Sequence, residues 1–357
     1  MNKKNVLYIV EDEKSAQFRY RVYNLMRLFD DDNEWNIKYK LTGEHIDENL
    51  LQTTDLIIIE RQTAKNRNIL RIIDIAHNQK KKVLFDLDDL IFDYKDLLLL
   101  MRSTNSKNII YWLGYFWGIR RIAKKVDGFI CTNNFLAEKL KRSFGKPVKV
   151  IRNSLNKEQI EISKKLIEKK NVRKIAGSGF SIGYFSGSPT HDRDFAMIEP
   201  ELVRFLKAYK DTKLKVVGYM DFSNRMRELI DIGRVEVAKP VDYLRLQGLL
   251  AKVDVNIAPL VVNDFTNCKS ELKYFEAAIV ETTTIASPTY AFKKAIKNGK
   301  NGFLARPREW HEKIEYLYQH PEENKRIAFE AKKYALKHYY GKEFLDEVEA
   351  TYGYFVK

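Results

Sequence analysis

Residues 55–87, DLIIIERQTAKNRNILRIIDIAHNQKKKVLFDL, place two short apolar runs on either side of an amphipathic stretch. The runs at 56–59 and 83–87 are continuous rather than alternating, which is typical of strands that are covered on both faces. Between them, apolar residues recur at three- and four-residue spacing and predict a helix around 69–78. A strand, a helix and a second strand in this order predict one unit of a parallel α/β sheet.

The same rhythm extends outward through both halves of the chain. In the first half we expect a helix at 20–29 and further strands at 6–10, 126–131 and 148–153. After a charged stretch at 157–174 the rhythm restarts, with predicted strands at 181–185, 214–218, 235–237 and 255–259 and predicted helices at 196–209, 226–232 and 243–251. From residue 310 to the end the pattern is helical.

The length and this repetition predict two domains. A chain of 357 residues exceeds the usual size of one hydrophobic core. We expect two Rossmann-like, doubly wound domains at 1–156 and 177–335, a linker or solvated helix at 157–176, and a C-terminal helix at 336–357. Whether that helix packs back on the first domain is left open. Ligands of such domains bind at the carboxyl ends of the strands, so we expect a site in a cleft between the two.

Composition limits the compartment and the partners. Cys131 and Cys268 lie in unrelated contexts and have no metal-ligand spacing, which favours a reducing compartment. The first apolar run is too short for a signal peptide, and no run approaches the ~18 residues of a membrane span. We therefore expect a cytoplasmic protein. The net charge of +15 calls for an anionic partner or serves solubility; without a nucleic-acid motif, we rank nucleic acid last.

The loop after the strand at 181–185 is a first candidate for phosphate binding. It reads SGSPTHDRDF at 186–195 and combines a glycine with hydroxyl side chains before a predicted helix. Backbone N–H groups at such a helix start favour an anion. An ordinary capped turn between a strand and a helix is the alternative.

The loop after 255–259 is a stronger candidate. It reads DFTNCKSELKYFEAA at 264–278, where Asn267 and Ser270 can cap a helix that carries Lys269, Lys273 and Glu276. Lys273 and Glu276 share one helix face. Lysines suit a diphosphate and a carboxylate suits a ribose diol, although an exposed Lys/Glu pair without function would have the same spacing.

These motifs, taken in order, resemble one family. The chain contains RVYNL at 21–25, DLDD at 86–89, VIRNSLN at 150–156, the two loops above, LKVVG at 214–218, VDVNIAPL at 253–260, TIASP at 284–288 and NGKNGFLA at 298–305. It is similar to the retaining GT-B glycosyltransferases that use nucleotide-sugar donors, especially those of bacterial cell-surface polysaccharide assembly. The resemblance implies transfer of a hexosyl or deoxyhexosyl group from a nucleoside diphosphate sugar to a hydroxyl, without a metal ion or another cofactor.

The resemblance also assigns residues to the donor. Glu276 looks like the second glutamate of the family's E-x7-E element, which holds the donor ribose, and Cys268 occupies the position of the first glutamate. For the diphosphate we rank Lys269 and Lys273 above His191, and we expect backbone near 238–243 to bind the base. The catalytic candidates are Glu276, Lys273 and Lys269. The donor-binding candidates are Gly187, Ser188, Thr190, His191, Asp192, Arg193, Asn267, Ser270 and Tyr243.

The acceptor is expected in the first half. Asp88 and Asp89 follow a strand and could bind acceptor hydroxyls, although capping of the next segment is nearly as favourable. Arg19 and Arg21 could meet an anionic acceptor or the donor phosphate, or form an ordinary basic helix face. The acceptor class we expect is a glycan or a lipid-linked sugar.

Residues 97–125 raise the possibility of a membrane contact. The stretch LLLLMRSTNSKNIIYWLGYFWGIRRIAKK places aromatic residues close to arginines and lysines, which suits an anionic bilayer surface. A core helix packed under the first sheet is the alternative. Two further functions also stay open: a non-catalytic scaffold or sugar-binding subunit, suggested by Cys268, and a sugar-nucleotide epimerase of the same fold.

Overall fold

The structure is a computed structural model that describes residues 3–29, 34–175, 179–187, 192–218 and 220–356. The chain forms two compact units. The first comprises Met1–Asn156, Asn267–Ser270 and Tyr339–Lys357, and the second comprises Lys157–Thr266 and Glu271–His338. Each unit contains one six-stranded sheet in which every neighbouring pair of strands is parallel.

The first sheet is built from β1 (Lys4–Val10), β2 (Trp35–Leu41), β3 (Leu56–Glu60), β4 (Lys82–Leu87), β5 (Gly128–Cys131) and β6 (Val148–Val150). Its strand order is β2-β1-β3-β4-β5-β6. The helices of this unit are α1 (Ala16–Phe18), a π-helical turn (Arg19–Tyr23), α2 (Asn24–Leu28), α3 (Glu48–Gln52), α4 (Arg67–Asn78), a 3-10 turn (Tyr94–Asp96), α5 (Leu97–Ser103), α6 (Ile109–Lys125) and α7 (Asn134–Phe144). All residues of β3 are buried, as its continuous apolar run predicts.

The second sheet is preceded by α8 (Lys157–Ile175) and is built from β7 (Ser181–Phe185), β8 (Lys213–Val217), β9 (Val235–Ala238), β10 (Val255–Ala258), β11 (Thr283–Ala286) and β12 (Phe303–Leu304). Its strand order is β12-β11-β10-β7-β8-β9. The helices are α9 (Asp192–Ala196), α10 (Glu199–Ala208), α11 (Asn224–Asp231), α12 (Tyr243–Leu250), α13 (Asp264–Asn267), α14 (Leu272–Ala278), α15 (Tyr290–Ala295), α16 (Trp310–Gln319) and α17 (Pro321–Tyr339). The prediction of two doubly wound α/β domains is confirmed.

The last helix, α18 (Lys342–Val356), contributes to the core of the first unit. Its buried Phe344, Val348 and Tyr352 join the cluster around β1, and the hydroxyls of Tyr8 and Tyr352 are 3.0 Å apart. The interval 157–175, expected to be a linker or a solvated helix, is a regular helix whose Lys170 Nζ donates to the carbonyl of Glu281 at 2.6 Å. This contact anchors α8 within the second unit.

Among the described residues, no helix combines the length and the apolar character needed to cross a bilayer.

Candidate functional site

The strand order of the second sheet reverses between β7 and β10. β7 pairs with β8 on one side and β10 on the other, so the connections that follow β7 and β10 leave toward opposite edges. Crevices at such reversals are where doubly wound sheets bind ligands. Here the two connections are tied together, because Asp194 Oδ1 accepts a hydrogen bond from the backbone N–H of Val261 at 2.7 Å.

An open pocket lies at the carboxyl ends of β7, β8 and β9. Its volume is about 550 Å³, and its walls are formed by Asp192, Gly218, Met220, Asp221, Val237, Ala238 and Lys239. This size is typical of small-molecule sites, which span roughly 300–1,000 Å³. β9 is an edge strand among the described residues, so one row of its backbone groups has no strand partner. The lining therefore offers backbone donors and acceptors beside two carboxylates and one ammonium group.

Gly218 shapes the floor of this pocket. Its φ is +134°, and a Cβ at this position would lie 2.6 Å from the carbonyl oxygen of Ser186. The N–H of Gly218 donates to the carbonyl of Ala238 at 2.9 Å, and the N–H of Ser186 donates to that of Val217 at 2.8 Å. These bonds join the ends of three strands, and only glycine fits where they converge.

α14 carries the two most important predicted side chains, Lys273 and Glu276. Two neutral amides fix its backbone: Asn256 Nδ2 donates to the carbonyl of Lys273 at 3.0 Å, and Gln247 Nε2 donates to that of Glu276 at 2.7 Å. Both amides bind backbone carbonyls, and neither binds the Lys273 ammonium or the Glu276 carboxylate. α14 is thus held to β10 and α12 through its backbone.

The charged groups of α14 lie in different surroundings. Lys273 Nζ lies 4.8 Å from the ring centroid of Tyr184 in β7, a cation–π distance. Glu276 is only 3% exposed. The lysine is therefore close to the strand at which the sheet reverses, and the carboxylate is inside the second unit.

The segment 267–270 corrects one prediction. Asn267 and Ser270 do not cap a helix that carries Lys269: α13 ends at Asn267, and α14 begins at Leu272. Asn267–Ser270 belong to the first unit. There Asn133 Nδ2 donates to the carbonyl of Cys268 at 2.9 Å, and Asn153 Nδ2 donates to Ser270 Oγ at the same distance. These side-chain donors satisfy the segment in a non-helical conformation.

The remaining donor candidates are only partly described. Gly187 follows β7, and a Cβ placed there would meet nothing within 4 Å. Asp192 and Arg193 open α9, and Asp192 lines the pocket. Tyr243 begins α12, and its hydroxyl lies 3.4 Å from Glu158 Oε2. Ser188, Thr190 and His191 lie outside the described residues.

The structure also corrects the prediction for Arg21. Its Nη2 lies 2.9 Å from Asp86 Oδ1, and the two side chains are 2% and 1% exposed. Further donors of the guanidinium reach Ile151 and Asn153. These contacts engage the Arg21 guanidinium inside the first unit, so it does not present its charge to an acceptor. Burial raises the pKa of Asp86 to about 6, although Arg21 acts in the opposite direction.

Asp88 and Asp89 face cations in the first unit. Arg61 Nη1 lies 3.0 Å from Asp88 Oδ1 and 2.8 Å from Asp89 Oδ2. Lys269 Nζ lies 3.1 Å from Asp89 Oδ1. Burial acts to raise the pKa of Asp89, but the charges of Lys269 and Arg61 outweigh it and hold this pKa below its usual range. Acceptor binding by the two aspartates stays a prediction, and any acceptor hydroxyl would share their oxygens with these cations.

Arg19, the other cation predicted for an acceptor, is half-buried. Its guanidinium carbon lies 3.9 Å from the ring centroid of Tyr20. This stacking fixes the side chain against its own turn of helix, and its role toward an acceptor stays a prediction.

Four residues that sequence reasoning missed support these arrangements: Gly218, Gln247, Asn256 and Arg61. The glycine ends the LKVVG motif, and a glycine directly after a strand is a usable signal of tight backbone approach. The two amides and the arginine carry no such signal, because their partners are distant in the sequence.

Comparison with known proteins gives a family match for part of the chain. Residues 190–320 match the family described as glycosyl transferases group 1. No curated protein is significantly similar in sequence. Similar solved structures include HepE from Anabaena in complex with UDP and glucose, which is 13% identical over 98% of this chain and 100% of that one, with a TM-score of 0.63.

Two other structures have comparable similarity. A glycosyltransferase from Rickettsia africae is 14% identical over the whole of both chains, with a TM-score of 0.64. Sucrose-phosphate synthase from Thermosynechococcus elongatus is 14% identical over 99% of each chain, with a TM-score of 0.67. At such identities the likeness shows the fold, which is of the GT-B type. Within it, residues 190–320 are the part of the chain that is similar to group 1 glycosyl transferases.

Proposed function

We propose that this protein transfers a glycosyl group from a nucleoside diphosphate sugar to a hydroxyl of a glycan or lipid-linked acceptor, with retention of configuration and without a metal ion. The observation that carries the proposal is the open pocket at the ends of β7, β8 and β9, inside the segment that matches group 1 glycosyltransferases. HepE of Anabaena, which shares the fold, is described in complex with UDP and glucose.

The pocket suits the base of a nucleotide. Ala238 and Lys239, in the interval predicted to bind the base, line it beside the edge of β9. Backbone groups at a strand edge read the hydrogen-bonding face of a base without a charged side chain. The carboxylates of Asp192 and Asp221 are suitable acceptors for hydroxyls of the donor sugar.

The diphosphate is assigned to Lys273, and the donor ribose to Glu276. Departure of a diphosphate builds negative charge on its oxygens, and an ammonium group placed beforehand stabilises that charge. Asn256 and Gln247 hold the backbone of α14, so the helix that carries both side chains is fixed in place before the donor binds.

A tryptophan placed in the pocket tests the location of the donor site. Ala238→Trp should fill the space and abolish release of nucleoside diphosphate from a panel of sugar nucleotides. Ile232→Trp is the matched control, because Ile232 is 69% exposed and lies outside the pocket lining. Turnover that survives Ala238→Trp at the control's rate would overturn this donor site.

The stereochemistry of transfer, its independence from metal and the choice of reaction are each tested by a separate measurement. Nuclear magnetic resonance of the product's anomeric centre distinguishes retention from inversion, and turnover after exhaustive chelation tests the independence from metal. Nucleotide binding with no turnover for any donor and acceptor would favour a non-catalytic scaffold. Conversion of the donor sugar without an acceptor would indicate an epimerase.

A further inference from the structure

The surface of α6 is unusual among the described surfaces of the first unit. Ile110, Leu113, Trp117, Arg121 and Lys124 are all exposed and recur at three- and four-residue spacing, so they form one stripe, here called the α6 face. Ile110 is 80% exposed, and Trp117 is 52% exposed. The stripe is apolar at its N-terminal end and basic at its C-terminal end.

The opposite side of α6 packs into the interior of the protein. Phe116, Ile119 and Ile122 are fully buried, so the fold does not need the α6 face to complete its core. At Gly118 a Cβ would lie 2.9 Å from Thr63 Cβ, and the carbonyl of Gly118 accepts from the N–H of Ala64 at 3.2 Å. This close approach fixes the rotation of the helix, and with it the direction in which the stripe points.

Exposed large hydrophobic residues concentrate around this helix. Eight are described in the first unit, and seven of these lie within 24 residues: Tyr94, Leu98, Ile109, Ile110, Tyr111, Leu113 and Trp117. Single exposed apolar residues need no explanation, but a cluster of this kind marks a binding surface.

The charge along α5 and α6 has a single sign. Residues 97–126 contain six arginines and lysines and no aspartate or glutamate. Two of the nearby cations lie over exposed rings: Arg121 lies 4.8 Å from the ring centroid of Trp117, and Lys65 lies 5.5 Å from that of Tyr111. Aromatic and aliphatic side chains mixed with cations match the headgroup level of an anionic bilayer, where rings enter the interface and cations meet lipid phosphates.

We propose that the α6 face docks the protein on an anionic lipid bilayer. A second copy of the chain is a poorer occupant, because a symmetric contact would bring two surfaces of like charge together. The docking surface lies entirely in the first unit. Its test requires no sugar nucleotide and therefore stands apart from the proposed transferase activity.

Vesicle flotation of the full chain tests the proposal. Wild-type protein should float with vesicles of phosphatidylcholine mixed with phosphatidylglycerol and stay behind with phosphatidylcholine alone. Replacing Arg121 and Lys124 with serine should weaken binding about tenfold or more, since each cation near an anionic surface contributes on the order of a several-fold change. The double variant Ile110→Ser/Trp117→Ser should lose binding as well, and added salt should reduce the wild-type signal.

A matched control comes from the second unit. Phe329 is 47% exposed, and Lys333 Nζ, four residues on, lies 4.5 Å from its ring centroid, which repeats the Trp117–Arg121 arrangement. Phe329→Ser/Lys333→Ser should float like wild type. Circular dichroism melts will establish that all variants fold.

Three results would overturn the proposal: equal flotation with neutral vesicles, wild-type binding by folded α6 variants, or equal loss in the control variant. Concentration-dependent self-association that the α6 variants abolish would instead assign the face to a contact between copies of the chain.

Discussion

Arg21 and Asp86 form an ion pair in the interior of the first unit, with 2.9 Å between Nη2 and Oδ1. Removing one partner leaves an uncompensated buried charge, which typically costs about 3–5 kcal/mol. Asp86→Asn should therefore lower the free energy of unfolding by roughly that amount, measured by urea denaturation. Glu347→Gln is the control, because it breaks the exposed pair with Arg152 and should cost about 1 kcal/mol or less. Equal costs for the two variants would contradict a structural role for Arg21.

Glu60 provides a pH-dependent prediction. Burial, followed by the charges of Asp88 and Asp86, raises its pKa well above the usual range. A carboxyl group whose folded-state pKa is raised contributes stability that is complete below its unfolded-state pKa and is lost as pH rises through the folded value. Glu60→Gln removes this titration, so the melting temperature of the variant relative to wild type should increase from acidic to mildly alkaline pH.

The control for Glu60 is Glu138→Gln on the surface of α7, where the side chain is 69% exposed. Its difference from wild type should stay nearly constant across the same pH range. A constant difference for Glu60→Gln too would mean that Glu60 titrates normally in the folded protein.

Gly218 and Gly233 allow steric crowding to be separated from backbone strain. Both have positive φ, +134° and +72°, but only at Gly218 would a Cβ strike backbone, 2.6 Å from the Ser186 carbonyl oxygen. Gly233→Ala should cost about 1–2 kcal/mol through its left-handed backbone alone. Gly218→Ala should cost more and should also weaken nucleotide binding, measured by thermal denaturation and calorimetry. Equal losses would mean that the strand ends at the pocket can move apart.

Glu276→Gln tests the proposed ribose contact. Loss of a hydrogen bond to a charged group typically costs about 1.5–3 kcal/mol, so affinity for a bound sugar nucleotide should fall roughly ten- to a hundredfold in calorimetry. Glu281→Gln is the control, because that carboxylate pairs with Lys332 at 2.9 Å and has no proposed contact with the donor. Unchanged affinity in a folded Glu276→Gln protein would remove Glu276 from the site.

The predictions from sequence found most strands of both sheets but missed β2 and β11. The continuous apolar run of β3 predicts a strand directly, but β2, WNIKYKL at the edge of its sheet, mixes apolar residues with lysines and an asparagine, so we did not predict it. β11 was missed because it begins with buried threonines. The hydroxyl of Thr283 donates to the carbonyl of Asn324 at 3.0 Å, a partner that the sequence cannot reveal.

The same distinction applies to the candidate site. The positions of Lys273 and Glu276 on one helix follow from local spacing, and the structure has them on α14. The conformation of residues 267–270 depends instead on Asn133 and Asn153, more than a hundred residues away. Short-range patterns locate the chemistry, and long-range hydrogen bonds decide how the backbone presents it.

The first unit is not contiguous in the chain, and this limits how the protein can be divided or recombined. A gene fragment ending at residue 156 would lack α18, which supplies Tyr352 and its neighbours to the core around β1. It would also lack residues 267–270, so the amide of Asn133 would lose its carbonyl partners and Asp89 would lose Lys269. A chimera that exchanges the first unit between relatives should therefore carry three matched pieces of sequence rather than one N-terminal half.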